Sequence, residues 1–140
     1  MGYTHYWRHD EELDKETLKL ALADMAELAR AAPKYNIRLR GPSGTSEPEL
    51  TGEGIALNGD GETEPSEAYE TFTFPATFEV NGKQGNFCKT ARRPYDMLVC
   101  AMVLAAKHRL GKQLCLSSDG ERSEDEWLPA ERMVAEVLGY

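Results

Sequence analysis

Three short stretches of this 140-residue chain carry side chains able to do chemistry. The first is Phe87-Cys88-Lys89-Thr90-Ala91-Arg92-Arg93-Pro94-Tyr95-Asp96, where three cations stand next to a proline suited to open a helix. A helix start offers unpaired backbone N–H groups and partial positive charge, so Lys89, Thr90, Arg92 and Arg93 are candidate ligands of a phosphate or carboxylate. The second is Tyr3-Thr4-His5-Tyr6-Trp7, in which Tyr3, His5 or Trp7 is a candidate to stack on a nucleobase, a contact of ~1–3 kcal/mol. The third is Ser117-Ser118-Asp119-Gly120, in which Ser118 and Asp119 pair a hydroxyl and a carboxylate suited to a ribose.

Each stretch also has an ordinary structural reading. Arginines pair with surface carboxylates, aromatics fill cores, and Ser-Asp-Gly makes turns. Cys88 before a helix start is either a thiol of lowered pKa or a buried strand residue. Catalytic signatures are missing: neither G-x-x-x-x-G-K-[ST] nor G-x-S-x-G occurs. His5 and His9 are spaced to meet on a helix, not on the strand expected there, and Cys88, Cys100 and Cys115 form no C-x-x-C pair. No metal set, no cofactor and no catalytic residue is therefore expected, although His5 retains the chemistry of a general base.

The elements that must position these residues follow from periodicity. Tyr3 to Arg8 alternates as a strand, with Tyr3, His5 and Trp7 on one face. Asp14 caps a helix to about Ala32, stopped by Pro33. Short strands are expected at Ile37–Arg40, Ile55–Asn58, Tyr69–Phe74, Phe78–Val80 and Gly85–Thr90, with Asn81-Gly82 as a hairpin turn. A helix with Pro94 as its first residue runs to about Leu110 and is apolar almost all round, so it is expected at the centre. Leu114–Ser117 is a further strand and Pro129–Leu138 a last amphipathic helix. Its Met133, Val134, Val137 and Leu138 suit either core packing or contact with a second copy of the chain. The pattern predicts a single α+β domain over residues 1–140, a mostly antiparallel sheet packed by two main helices and a short C-terminal one.

A net charge of −8 and 29% charged residues mark a chain that folds but does not coat duplex DNA or anionic membranes. The run Met97–Ala106 is too short to span a bilayer, and Met1–Arg8 has no apolar signal segment. Gly2 invites lipidation, but Tyr6 stands where that motif wants Ser or Thr. A cytoplasmic location is the expectation.

Taken together, the Gly2–Trp7, Phe87–Asp96 and Ser117–Gly120 blocks resemble a family of small uncharacterised proteins encoded by bacteriophages and prophages. That resemblance spans nearly the whole chain and implies a role in host takeover, anti-defence or nucleic-acid metabolism, inside the host cell. The residues and the resemblance together predict a binder of a small anionic, nucleotide-like ligand, a sponge for a cyclic or ADP-ribose-like signal. Two rivals are a phosphoesterase, with His5 or Asp119 as base and Lys89 or Arg92 stabilising charge, and an inhibitor that binds a host protein. With no nucleophile or metal set in view, binding outranks catalysis.

Overall fold

The computed structural model describes residues 4–9, 14–52, 54–74, 78–80, 83–90, 93–118 and 127–140. Strand β1 (Thr4–His9) lies at the middle of a sheet in which β7 (Lys83–Lys89) flanks it on one side and β8 (Cys115–Ser118) on the other, with β6 (Phe78–Val80) beyond β7. Every pairing in this sheet is antiparallel. A second group forms around β4 (Ile55–Gly59), which pairs antiparallel with β2 (Leu39–Arg40), β3 (Glu49–Leu50) and β5 (Phe72–Phe74). With helices α1 (Lys15–Ala31), α2 (Asp96–Leu110) and α3 (Trp127–Leu138), the architecture is α+β.

Alternation along β1 sends His5 and Trp7 inward while Tyr6 stays exposed. The Trp7 ring meets Phe72 at 5.2 Å and Phe74 at 6.2 Å between centroids, so one side chain ties the first sheet to the second. On α2, ten of fifteen residues are buried, and the helix packs against both α1 and α3. Burying each of its larger side chains supplies ~1.5–3 kcal/mol. An apolar helix of this kind is stable only in the interior, which is why it sits at the centre.

Several local expectations change for identifiable reasons. Asp14 does cap α1, its carboxylate accepting the Thr17 amide N–H at 3.0 Å. Pro94 is not helical: α2 starts at Asp96, after a turn in which the Arg93 N–H bonds the Thr90 carbonyl and the Asp96 N–H bonds the Arg93 carbonyl. Residues 69–71 are no strand, because the Asn58 side chain takes both the N–H and the carbonyl of Tyr69 that a ladder would have used. Ile37 instead closes the turn after α1 by bonding the Ala32 carbonyl, with Asn36 left-handed at φ 60°. Asn81-Gly82 lies outside the described residues, although Val80 and Lys83 are register partners on either side of it. α3 begins two residues early, and Met133 and Val134 are buried in the chain's own core, not offered to a second copy.

Gly59 marks the closest approach in the second group. A Cβ there would stand 2.1 Å from the Glu67 carbonyl oxygen and 2.9 Å from the Tyr95 ring, so only glycine lets the 60–67 loop fold back toward α2.

Candidate functional site

The three chemical stretches of the sequence meet in neighbouring strands. In register, Thr4 lies opposite Lys89 on β7, while His5 lies between Cys88 on β7 and Ser118 on β8. Lys89 and Ser118 are the last residues of their strands, so both end where β1 begins. The turn into α2 starts at the same place. Tyr3, Arg92 and Asp119 lie outside the described residues.

Beneath this sheet end sits a buried polar cluster. Asp96, in the first turn of α2, is 5% exposed, and its Oδ1 accepts a hydrogen bond from His5 Nε2 at 2.6 Å. The Thr90 hydroxyl donates to the same oxygen. Cys100, one turn further along α2, directs its thiol to Asp96 Oδ2 at 3.7 Å and stands 3.5 Å from His5 Nε2. The i, i+4 spacing puts Asp96 and Cys100 on one helix face, and β1 alternation points His5 at that face. Trp127, opening α3, covers the imidazole edge-on at 5.4 Å between centroids. A carboxylate at a helix N-terminus also complements the macrodipole.

This geometry corrects three of the candidate ligand residues. His5 and Trp7, at 0% and 2% exposure, are enclosed by the core and present no face for a nucleobase. Thr90 is equally buried, and its hydroxyl is committed to Asp96 instead of a phosphate. Nor does the cluster form a nucleophilic relay. Such a relay divides the two imidazole nitrogens between nucleophile and carboxylate, whereas here Cys100 and Asp96 both approach Nε2.

Cys88 is likewise no activated thiol. Burial pushes its pKa up to about 12, aided by the nearby Glu70 carboxylate. Its thiol and the Tyr95 hydroxyl both donate to the Glu70 carbonyl, at 3.5 and 2.6 Å, and desolvation raises the Tyr95 phenol as well. These bonds hold Glu70 against β7 and the turn that leads into α2.

Arg93 is the candidate cation whose side chain is described, and it is exposed. Its guanidinium carbon lies 5.8 Å from the ring centroid of Tyr69, itself 45% exposed. The two Asn58 bonds to the Tyr69 N–H and carbonyl fix the backbone that carries the ring. Sequence reasoning missed Tyr69, Asp96 and Cys100 as site residues. Asp96 carried a signal: it is the lone charge between Pro94 and Ala106, and a charge heading so apolar a helix requires a buried partner. Tyr69 carried none, since its pairing with Arg93 depends on how the 60–70 loop folds.

No protein-family model matches the chain, and neither the curated proteins nor the solved structures compared with it hold a significant match.

Proposed function

We propose that the protein binds a small anionic, nucleotide-like ligand at the start of α2. The observation that carries this reading is the exposed Arg93–Tyr69 pair, a guanidinium beside an aromatic ring at the end of the sheet where Lys89 and Ser118 terminate. A cation for a phosphate and a ring for a base are the two elements such a ligand needs. In this reading Arg93 and Lys89 hold the phosphate and Tyr69 takes the stacking role first expected of Trp7. Binding without turnover is favoured because the general-base candidate His5 is buried and bonded to Asp96. A sponge that sequesters a cyclic or ADP-ribose-like signal fits this assignment and the resemblance to phage proteins.

Isothermal titration against cyclic mono- and dinucleotides, ADP-ribose and its cyclic form tests the reading. Arg93→Ala and Tyr69→Ala should each weaken binding by roughly 10- to 100-fold, the range that stacking and ion-pair losses give. The ligand released by heat should be chromatographically intact. Absence of binding across the panel refutes the proposal, and recovery of cleaved nucleotide replaces it with the phosphoesterase reading.

A further inference from the structure

We propose that His5, Asp96 and Cys100 form a site for one divalent transition-metal ion, with zinc the best fit. The inference stands on the buried cluster alone and is independent of the nucleotide reading. One nitrogen, one carboxylate oxygen and one sulfur, brought from positions 5, 96 and 100, lie within 4.8 Å of one another, and all three residues are buried. Nitrogen and sulfur donors select zinc and its neighbours over calcium or magnesium, which take oxygen.

The spacing is that of coordination. With Zn–S near 2.3 Å and Zn–N or Zn–O near 2.0–2.1 Å, a tetrahedral site places sulfur about 3.6 Å from each lighter donor. Cys100 Sγ is 3.5 Å from His5 Nε2 and 3.7 Å from Asp96 Oδ2. Those two edges need almost no movement. The third contact, His5 Nε2 to Asp96 Oδ1 at 2.6 Å, is of hydrogen-bond length; loading would break this bond, Nε2 giving up its proton and turning its lone pair to the ion. Coordination through Oδ2 leaves Oδ1 to accept the Thr90 hydroxyl, which then orients the carboxylate. The convergence of carboxylate and thiol on one imidazole nitrogen, useless for a relay, is what a metal requires.

A second observation points the same way. The Trp127 indole stands against His5, and its Nε1–H is buried with no acceptor among the described residues. Orphaned buried donors call for an explanation such as a bound water or ion. Three protein donors leave a fourth position for water or an anion, which would give that N–H an acceptor. Loading releases the Cys100 thiol proton to solvent. The proton between Nε2 and Asp96 passes to Nδ1 or, from an imidazolium, to solvent.

The test uses the full, untagged chain dialysed against Zn²⁺ or Co²⁺ and then desalted. We expect about one ion per chain, and for cobalt a near-ultraviolet thiolate charge-transfer band with the strong visible absorption of a tetrahedral site. Cys100→Ser should abolish the charge-transfer band, whereas Cys88→Ser and Cys115→Ser should retain it. X-ray absorption of the zinc-loaded wild type keeps the proposal falsifiable if Cys100→Ser does not fold: one sulfur near 2.3 Å with nitrogen and oxygen near 2.0–2.1 Å supports it. No retained metal, a coordination shell without sulfur, or a charge-transfer band that persists in folded Cys100→Ser overturns it.

Discussion

Two aspartates do the same topological job, one with an imidazole partner sealed from solvent and one with a guanidinium partner that reaches it. Asp96 gathers His5, Thr90 and Cys100 in the interior, joining β1, the end of β7 and α2. Asp24, on α1, gathers Arg109 from the last turn of α2 and the Tyr140 hydroxyl from the chain's end, with Arg109 Nε at 2.7 Å. Arg109 is 36% exposed there, whereas the His5 side chain is wholly buried. The Asp24 carboxylate is 13% exposed against 8% for Asp96, so the contrast lies in the partners: water reaches the Arg109 guanidinium and not the imidazole. Nothing replaces a partner of Asp96, so the energetic weight of the two clusters differs although their bond patterns are alike.

Substitution is the strongest test of that contrast. Asp96→Ala takes an acceptor from the buried imidazole and from the Thr90 hydroxyl, and should cost about 3–5 kcal/mol in urea unfolding. Asp24→Ala should cost several-fold less, and equal losses would break the comparison.

A double-mutant cycle sharpens it. His5→Gln and Asp96→Asn should couple by about 0.5–3 kcal/mol, as contacting buried groups do. Additive losses would mean that the 2.6 Å contact is not an energetic pair.

Salt should separate the two sites further. Raising ionic strength toward 1 M shrinks the Debye length to about 3 Å, so the small Asp24→Ala deficit should fade while the Asp96→Ala deficit persists. Parallel fading of both, read from unfolding midpoints, would place Asp96 in contact with solvent.

The cysteines extend the same contrast of inside and outside. Cys115 is exposed while Cys88 and Cys100 are buried, so a thiol reagent should modify Cys115 first in the native protein and the others only on unfolding. The native Cys88 thiol keeps its proton to about pH 12, against 9.0 for an ordinary thiol. Stability from that group is therefore full below pH 9.0 and is lost as pH rises toward about 12, because the unfolded chain ionises first. Tyr95, raised in the same way, adds to the alkaline loss. Cys88→Ala should flatten the decline across that window, and an unchanged slope would remove Cys88 from the account.

Most elements were legible because their signals are local. The Asp14 cap, the apolar stripe of α1, the all-round apolar α2 and the alternation of β1 arise from neighbours within a turn or a strand, and the structure keeps each of them. Errors fell where a distant group intervened. Asn58 took the backbone of Tyr69 from a strand, and the Thr90–Asp96 turn displaced the helix start from Pro94. The site behaved likewise: the position of Arg93 outside α2 could be anticipated, but not its ring partner 24 residues earlier in the chain.

By itself, then, the sequence determined which residues must leave water: the α2 side chains, the inward face of β1, and Asp96 as a charge carried in with them. Hydrophobic periodicity encodes that choice directly. Tertiary structure alone decided what Asp96 meets, because His5 lies 91 residues away and only the register of β1 between β7 and β8 delivers it. Burial can be read along one chain, whereas partnership between buried polar groups depends on long-range strand order, which local patterns do not record.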